Sequence, residues 1–357
     1  MQRPAEMSKD KGILLIRADA NVAMGTGHVM RCLALAQTWQ DAGGRAVFAT
    51  ADLLPPVRER LRSEGLEVIA VEAELGSCDD ARYLAELADR CAAAWIVVDG
   101  YHFDADYQRD LKAAGLQVLF LDDNGHAGHY AADLVLNQNA HADESLYSDR
   151  EPYTRLLLGP RYVLLRREFQ AWREWKRVIP PTGRKVLVSM GGSDPGNVTA
   201  AVIPALKSVQ VEGLEVVVVA GGSNPHVESL EQAIRSSNGR IRLLRDVVDM
   251  PELMAWADVM LAAAGTICWE ICAMALPALL VVTASNQRAA ARRLAASGAT
   301  LTLDSETDNI ETDSAHLLQN LLESQSLRQG LSSRARELVD MGGSARVVSI
   351  LRGLPEQ

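Results

Sequence analysis

One histidine near the start of the chain follows a loop with two glycines, and this arrangement could support proton transfer. Gly25, Gly27 and His28 lie between the apolar run Ile13–Ile16 and a helix-forming stretch that begins at Cys32. An imidazole has an ordinary pKa of about 6.5, so it can accept a proton near neutral pH. Glycines let another molecule approach the backbone closely. The pattern predicts a ligand-facing edge with His28 at its mouth, and the simpler alternative is a turn with a helix-capping histidine.

Two glycine loops in the second half of the chain could bind phosphate. Gly191-Gly192-Ser193 and Gly265-Thr266 each follow an apolar run and precede a predicted helix. Helix N-termini present unpaired N–H donors and the positive end of the helix dipole, which favour anions. Neither loop matches Gly-x-x-x-x-Gly-Lys-Ser/Thr or Gly-x-Gly-x-x-Gly, so a P-loop nucleoside triphosphatase and a dinucleotide oxidoreductase are disfavoured. A purely structural turn is the alternative for each loop.

Glu270 adds a carboxylate to the second of these loops. It lies four residues after Thr266, which places it one turn further along the same helix face. Its neighbours Trp269, Ile271 and Cys272 are apolar, so the charge of Glu270 needs a partner. We therefore predict that Thr266 contacts a phosphate while Glu270 accepts the hydroxyls of a ribose. An ordinary surface glutamate is the alternative.

These loops must be positioned by a regular alternation of strands and helices. The alternation predicts a parallel sheet with right-handed crossovers in each half of the chain, with ligands at the carboxyl ends of the strands. Polar clusters fall at those ends, such as Asp99 with Tyr101. The predicted strands are 13–16, 45–50, 66–71, 95–99, 117–123 and 133–139 in the first half, and 185–190, 214–220, 240–244, 258–262 and 277–282 in the second.

The predicted fold class is therefore α/β, with two doubly wound parallel-sheet domains that face each other across a cleft. Residues 12–175 form the predicted N-terminal domain with the catalytic loop, and residues 184–340 form the predicted nucleotide-binding domain. The stretch 172–181 is predicted to be the linker because it ends at Pro180-Pro181. Residues 341–357 are expected to form a helix that packs back on the first domain. A cleft between two such domains is a common small-molecule site.

Composition argues against several other classes. The net charge of -10 disfavours binding to nucleic acid or to an anionic membrane surface. No apolar run approaches the roughly 20 residues that span a bilayer, and the first residues lack the apolar core of a signal peptide. The five cysteines are scattered without Cys-x-x-Cys spacing, which indicates reduced thiols and no zinc site. We expect a cytoplasmic protein with a small-molecule partner, and the oligomeric state stays open.

Eight short segments at predicted strand ends together carry a resemblance that no single loop carries. They are Arg17-x-Asp19, Gly25-x-Gly27-His28-x-x-Arg31, Asp99-x-Tyr101, Asp122-Asp123, Asn137-Gln138-Asn139, Met190-Gly-Gly-Ser193-Asp194-Pro195, Gly265-Thr266-x-x-x-Glu270 and Asn286-Gln287. The chain resembles, over roughly residues 12 to 350, the UDP-sugar hydrolase family of pseudaminic acid biosynthesis. That family is similar in fold to the GT-B glycosyltransferases, including the MurG-type N-acetylglucosaminyltransferases.

The resemblance implies a GT-B-like fold and hydrolysis of UDP-2,4-diacetamido-2,4,6-trideoxy-β-L-altropyranose to UDP and the free sugar, with no metal ion and no other cofactor. It implies that His28 activates the attacking water, and Asp19 is predicted to hold its imidazole in the useful tautomer. Tyr101 and the edge 137–139 are expected to meet the acetamido groups. The residues predicted to bind substrate are Arg17, Gly25, Gly27, Arg31, Tyr101, Asn137, Gly192, Ser193, Gly265, Thr266, Glu270, Asn286 and Gln287.

Two other functions fit the same loops. A GT-B glycosyltransferase would use the same donor site, and it would need an acceptor surface on the N-terminal half, often apolar and basic. The only basic patch of that kind in the first half is Arg58-Glu59-Arg60-Leu61-Arg62. A sugar-nucleotide-binding protein without catalysis would keep the loops but would not need His28.

Overall fold

The N-terminal lobe is built on a seven-stranded parallel sheet. The computed structural model of the chain describes residues 12–237, 239–245, 247–306 and 309–354. The strands lie in the order β3-β2-β1-β4-β5-β6-β7. They are β1 (Ile13–Ala18), β2 (Arg45–Thr50), β3 (Glu67–Ala70), β4 (Ala93–Asp99), β5 (Val118–Leu121), β6 (Leu134–Asn137) and β7 (Arg155–Leu158). The helices of this lobe are α1 (Gly27–Asp41), α2 (Pro55–Ser63), α3 (Cys78–Arg90) and α4 (Ala105–Ala113).

The C-terminal lobe repeats this architecture on a six-stranded parallel sheet in the order β10-β9-β8-β11-β12-β13. Its strands are β8 (Lys185–Ser189), β9 (Glu215–Ala220), β10 (Ile241–Arg245), β11 (Val259–Ala263), β12 (Ala278–Val282) and β13 (Leu301–Asp304). The helices that follow β8 are α5 (Val198–Ser208), α6 (Val227–Ile234), α7 (Met250–Trp256), α8 (Ile267–Ala273), α9 (Arg288–Ala296), α10 (Ile310–Glu323), α11 (Gln325–Leu338) and α12 (Gly343–Leu351). Within the described ranges, no helix has both the length and the apolar character that crossing a bilayer requires.

The strand order reverses once in each sheet, and these reversals locate the ligand edge. Strand β1 lies between β2 and β4, and β8 lies between β9 and β11. Open α/β sheets bind ligands outside the carboxyl ends of the strands at such a reversal. Strand β1 leads towards the loop before His28, and β8 leads directly into Gly191-Gly192-Ser193. The predicted fold class, two doubly wound parallel sheets, is confirmed.

The central strands are apolar because helices cover both faces of each sheet. Along β1, Leu14 and Ile16 pack in the core layer that contains α1, whereas Leu15 packs in the layer that contains α3 and α4. The same alternation holds in β4, where Val97 faces α1 and Val98 faces α3 and α4. Successive side chains of a strand point to opposite faces, so this alternation also decides which polar residues can meet at the strand ends.

The chain contacts both lobes where it passes between them. Leu164 packs in the N-terminal core and Phe169 packs in the C-terminal core. At the other end, α12 returns to the first lobe, where Val347 packs beside α1 and the indole N–H of Trp95 donates to the carbonyl oxygen of Leu351 at 2.7 Å. Of the stretch 341–357 predicted as helix, the structure forms α12, and residues 355–357 lie outside the described residues.

Candidate active site

His28 lies in the first turn of α1 and is paired with a carboxylate. Its Nδ1 is 2.7 Å from Oδ1 of Asp99, the last residue of β4. A carboxylate accepts hydrogen bonds, so this contact places the imidazole proton on Nδ1 and leaves the lone pair on Nε2. Among the described residues, Nε2 has no hydrogen-bond partner, and His28 lines the cavity between the lobes. The ring is therefore oriented to accept a proton from a group in that cavity.

Arg31, one turn further along α1, neutralises the carboxylates around His28. Its Nε and Nη2 donate to the two oxygens of Asp99 at 2.7 and 2.6 Å, and its Nη1 donates to Asp123 at 2.7 Å. Burial alone would raise the pKa of Asp99, but the charges and hydrogen bonds of Arg31 and His28 outweigh it and hold this pKa well below its ordinary range. Asp99 is therefore a fixed anion. Arg31 lines the cavity, but its three nitrogens are already engaged, so it positions carboxylates.

The predicted pairing of Asp19 with His28 is wrong. Asp19 is fully buried, and its Oδ1 accepts hydrogen bonds from the backbone N–H groups of Ala51 and Asp52 at 2.7 and 3.0 Å. Its other oxygen forms an ion pair with Arg17. Burial alone would raise the pKa of Asp19, but the hydrogen bond of His102, the charge of Arg17 and the two backbone N–H groups outweigh that effect. The pKa of Asp19 therefore lies below its ordinary value. Asp19 stabilises the loop after β2 and makes no hydrogen bond to the imidazole of His28.

The prediction that Arg17 binds substrate is also wrong. Its guanidinium is fully buried, donates to Asp80 at 2.8 Å and does not line the cavity. The physical reason is the alternation along the strands. Arg17 and Asp19 share the face of Leu15, under α3 and α4, whereas His28 lies on the opposite face of the sheet.

Asp99 meets His28 because it shares a face of β4 with Val97, the face that α1 covers. Strand β4 is also the immediate neighbour of β1 in the sheet. The sequence carries a signal for this pairing. Asp99 ends a strand adjacent to β1, and it lies two residues after Val97, so it points to the same face of the sheet. That signal becomes usable only when the strand order is known.

Tyr101 joins the two lobes above His28. Its hydroxyl donates to Oδ2 of Asp123 at 2.9 Å and accepts a hydrogen bond from the side-chain amide of Asn286 at 3.2 Å. Its ring packs edge-on against the imidazole of His28, with ring centres 4.9 Å apart. Tyr101 is 40% exposed, so it stands at the cavity surface. Through Tyr101, Asn286 of the C-terminal lobe is thus held close to His28.

The cavity between the lobes has a volume of about 330 Å³ and is lined by loops from both. The lobes touch there through small residues: a Cβ on Gly192 would lie 2.7 Å from Oγ1 of Thr26, and a Cβ on Gly27 would lie 3.3 Å from Cγ2 of Thr266. The predicted site residues that line the cavity are His28, Gly25, Gly27, Arg31, Tyr101, Gly192, Ser193, Gly265, Thr266, Asn286 and Gln287. Four predicted site residues do not line the cavity: Asp19, Arg17, Asn137 and Glu270.

The helix ends at the cavity differ in what occupies them. The N-terminus of α5 is filled by the chain itself, because the carboxylate of Asp194 accepts hydrogen bonds from the backbone N–H groups of Val198 and Thr199 at 2.8 and 3.0 Å. Thr266, at the start of α8, makes no capping hydrogen bond with its side chain and lines the cavity together with Gly265. Of the two predicted phosphate loops, the one at Gly265-Thr266 is therefore the more open to a ligand.

Ser193 and Gln287 both make hydrogen bonds within the chain at the edge of the cavity. The hydroxyl of Ser193 donates to the carbonyl oxygen of Val22 at 3.2 Å, which is a direct bond between the lobes. The side-chain oxygen of Gln287 accepts from the backbone N–H of Thr283 at 2.9 Å. That bond leaves the amide nitrogen of Gln287 on the side of Gly265, where a Cβ would lie 4.0 Å from it.

Glu270 has the partner that its apolar surroundings demand, and this partner is an arginine. Nη2 of Arg166 donates to its Oε1 at 2.8 Å, and Nη1 of the same arginine lies 3.0 Å from Glu168. Burial raises the pKa of Glu270, and Arg166 partly offsets this effect. Glu270 is set back from the cavity lining, one turn of α8 beyond Thr266.

Asn137 is fully buried and shapes the cavity edge from beneath. Its amide nitrogen donates to the carbonyl oxygen of Asp123 at 3.0 Å and to the hydroxyl of Tyr147 at 2.7 Å. Its side-chain oxygen accepts from the backbone N–H of Asn139 at 2.9 Å. The two residues after it, Gln138 and Asn139, are the ones that line the cavity.

The C-terminal lobe matches a known domain. Residues 186–341 match the model described as the glycosyltransferase family 28 C-terminal domain. The whole chain superposes on the crystal structure of Acinetobacter baumannii MurG with a TM-score of 0.65 and 17% identity, covering 96% of this chain and 99% of that one. This likeness confirms the GT-B fold.

Curated relatives cover both lobes. The chain is 30% identical over 241 residues to the spore coat polysaccharide biosynthesis protein SpsG of Bacillus subtilis, covering 67% of this chain and 70% of that protein. It is 24% identical over 287 residues to the UDP-2,4-diacetamido-2,4,6-trideoxy-beta-L-altropyranose hydrolase of Campylobacter jejuni, covering 80% of this chain and 97% of that enzyme. The resemblance to that hydrolase is confirmed. An uncharacterized protein of Methanocaldococcus jannaschii is 23% identical over 77% of this chain, which spans only 56% of that relative's length.

Proposed function

Because the chain belongs to the family of the spore coat polysaccharide biosynthesis protein SpsG, we propose that it hydrolyses a UDP-linked 2,4-diacetamido-2,4,6-trideoxyhexose to UDP and the free sugar. The substrate class rests on the similarity to the Campylobacter jejuni hydrolase, which extends over nearly the whole length of that enzyme. The free sugar would then serve nonulosonic acid biosynthesis of the pseudaminic type.

The observation that carries this proposal is the His28–Asp99 pair. The proton on Nδ1 is held by Asp99 at 2.7 Å, so Nε2 is the only basic nitrogen of the ring that can face the cavity. The cavity is lined on its far side by the loop Gly265-Thr266, which suits a diphosphate. A base on one wall and an anion site on the other is the arrangement that hydrolysis of a sugar nucleotide requires.

The proposed reaction is direct displacement by water at the anomeric carbon. Nε2 of His28 takes a proton from the water as its oxygen attacks, and the bond between the anomeric carbon and the phosphate oxygen breaks. UDP departs with the bonding electron pair. Asp99 stabilises the imidazolium that forms, as buried carboxylates do beside catalytic histidines. The chain's own backbone donors and hydroxyls at Ser193 and Thr266 would stabilise the charge on departing UDP.

Nucleotide recognition is assigned to the C-terminal lobe. Glu270 lies behind the cavity lining, one turn of α8 beyond Thr266, and its side chain is 18% exposed. The ribose would extend past Thr266 to reach the oxygen of Glu270 that Arg166 leaves unbonded. Asn286 and Gln287 line the cavity beside Gly265, within the space that the diphosphate and the sugar would share. The reaction is proposed to proceed without a metal ion.

A UDP-sugar glycosyltransferase is the second candidate, and one observation favours it. The C-terminal lobe matches the glycosyltransferase family 28 domain over residues 186–341. In that case the cavity beside His28 would take an acceptor hydroxyl in place of water. A binding protein without catalysis is the third candidate, which the orientation of His28 disfavours.

The deciding experiment is incubation with the UDP-diacetamido sugar alone, without acceptor or divalent metal, while free UDP is measured. Stoichiometric release of UDP and free sugar supports the hydrolase. Release that begins only when an acceptor is added supports the transferase. Tight binding with no release under either condition would leave a binding protein.

A further inference from the structure

We propose that Gln138 and Asn139 form an amide-reading subsite that recognises one acetamido group of the sugar. This inference rests on the proposed function, since it names the substrate group that the same cavity would select. The two residues follow β6 and line the cavity that His28 also lines. They are only 3% and 8% exposed, so each offers a specific polar atom to the cavity from a largely buried side chain.

The amide of Gln138 has a fixed orientation. Its Oε1 accepts a hydrogen bond from the backbone N–H of Leu164 at 3.0 Å, so the oxygen side of the amide is used internally. In the part of the chain that the structure describes, the hydrogen bond to Leu164 is the one that the side chain of Gln138 makes, and its Nε2 makes none. Because the oxygen must face Leu164, the NH₂ group is the part of Gln138 that remains for a ligand.

The side-chain amide of Asn139 has the opposite orientation, with its nitrogen used internally and its oxygen left for a ligand. Its Nδ2 donates to Oδ1 of Asp123 at 2.7 Å, and its backbone N–H is held by the side chain of Asn137. A carboxylate cannot donate, so the nitrogen of Asn139 faces Asp123 and the side-chain oxygen is left as an acceptor. Within the described residues, the side chain of Asn139 makes its hydrogen bond through Nδ2 and none through this oxygen.

The adjacent pair therefore presents one donor and one acceptor, which is the complement of an acetamido group. The carbonyl oxygen of the acetamido group would accept from Nε2 of Gln138, and its N–H would donate to the oxygen of Asn139. A hydroxyl at the same position of the sugar could not span both partners. Sites built to hydrogen-bond a substrate group discriminate against analogues that lack it, because their own buried polar atoms are then left unpaired.

The test measures binding in a His28→Asn background, so that the sugar nucleotide stays intact during titration. The probes are UDP, the UDP-2,4-diacetamido-2,4,6-trideoxy sugar, and its two analogues in which one acetamido group is replaced by a hydroxyl. Gln138→Glu keeps the acceptor for Leu164 and replaces the ligand-facing donor by an oxygen. We expect it to weaken binding of the diacetamido sugar about tenfold, with no change for UDP or for one of the two analogues.

Two further variants keep the test decisive. Gln138→Met removes both polar atoms at similar side-chain length, and we expect it to lose the same preference because it also lacks the ligand-facing donor. Gln108→Glu is the matched control: Gln108 is fully buried in the same lobe, and its Oε1 accepts from Ala131 and Ala132, but it does not line the cavity. It is expected to leave every binding constant unchanged.

The outcomes separate this inference from the proposed function. Equal weakening of all three sugar nucleotides, or none, by the Gln138 variants overturns the amide-reading subsite while UDP binding keeps the nucleotide site intact. Failure of the His28→Asn reference protein to bind UDP at all overturns the proposed function together with the inference.

Discussion

The two edges that face each other across the cleft carry different kinds of residue. At the N-terminal edge, His28, Arg31, Asp99 and Asp123 form a buried network in which each charge has a partner. At the C-terminal edge the polar lining consists of glycines, hydroxyls and amides among apolar residues, and the one carboxylate there, that of Asp194, is held by backbone N–H groups. The ion pair of Arg166 with Glu270 lies behind this lining.

This difference matches two chemical tasks. Moving a proton requires a group whose tautomer is fixed, and buried paired charges in a low dielectric provide that constraint. Holding a diphosphate requires many donors and close approach, which backbone loops provide. We therefore expect substitutions at the first edge to change the rate and substitutions at the second to change nucleotide affinity.

The largest effect is expected from His28→Asn. Removal of the proposed base should lower the turnover rate by about 10³-fold, within the usual range for general-base catalysis, while the dissociation constant for UDP stays the same. Single-turnover release of UDP and calorimetric titration with UDP measure the two quantities. Turnover near the wild-type rate would show that another group activates water and would remove the proton-moving role from this edge.

A smaller loss of rate is expected from Asp99→Asn. An amide at this position no longer holds the proton on Nδ1 of His28, so turnover should fall about 100-fold with little change in the Michaelis constant. Asp19→Asn is the matched control, because Asp19 is as deeply buried but contacts Arg17 and backbone N–H groups instead. If the Asp19 variant lost as much of the rate as the Asp99 variant, the effect would be one of stability alone.

Arg166→Met tests the C-terminal edge. Without the guanidinium, the pKa of Glu270 should rise further, because burial already raises it and the charge and hydrogen bond of Arg166 lower it. Its free oxygen would also lose the arginine that orients the carboxylate. UDP should then bind about tenfold more weakly, whereas 2′-deoxy-UDP should be nearly unaffected, and the preference between them should disappear. Titration of both nucleotides measures this change.

The control for that prediction is the neighbouring residue. Arg167 is paired with Asp41 and Glu64 of the N-terminal lobe and does not contact Glu270. Arg167→Met should leave the preference for UDP over 2′-deoxy-UDP intact. Loss of the preference in both variants would mean that the packing of the segment that crosses between the lobes, and not Glu270, sets ribose recognition.

The smallest effect on turnover and nucleotide binding is expected from Asp122→Asn, which tests the stability of the N-terminal lobe in acid. Burial raises the pKa of Asp122, but His126, Tyr130 and the backbone N–H of Gly125 lower it more, to about 2, from an ordinary value of 3.8. Because the folded pKa is depressed, this carboxylate stabilises the fold above about pH 4 and loses that contribution as pH falls to about 2. The contribution is on the order of 2 kcal/mol.

Urea unfolding between pH 7 and pH 2 measures this prediction. Asp122→Asn should flatten the loss of stability in acid. Glu270→Gln should not flatten it, because the pKa of Glu270 is raised in the folded chain and its ionised form does not add stability as pH rises. If the free energy of unfolding fell equally with pH in the wild type and in the Asp122 variant, other carboxylates would dominate the loss of stability in acid.

Much of the architecture could be predicted from local pattern. Apolar runs such as Leu214–Ala220, each bounded by a glycine loop and a helical stretch, predicted both parallel sheets, because strands covered on both faces need continuous apolar sequence. The same pattern placed His28, Gly192 and Gly265 at strand ends, and all three line the cavity.

The partners of the key side chains could not be predicted in this way. Asp19 is much closer to His28 in sequence than Asp99 is, yet Asp99, 71 residues away, makes the contact. The apolar surroundings of Glu270 indicated that it needs a partner, but Arg166 lies 104 residues away on the segment that crosses between the lobes.

The sequence by itself therefore determined the elements, the strand-end loops and the kinds of residue that they carry. Only the tertiary structure decided that Asp99 and not Asp19 holds His28, and that Arg166 holds Glu270. The physical reason is that helix and strand formation depends on the order of neighbouring residues. Contact between distant side chains depends instead on strand order, on which face of the sheet each residue occupies, and on how the two lobes pack.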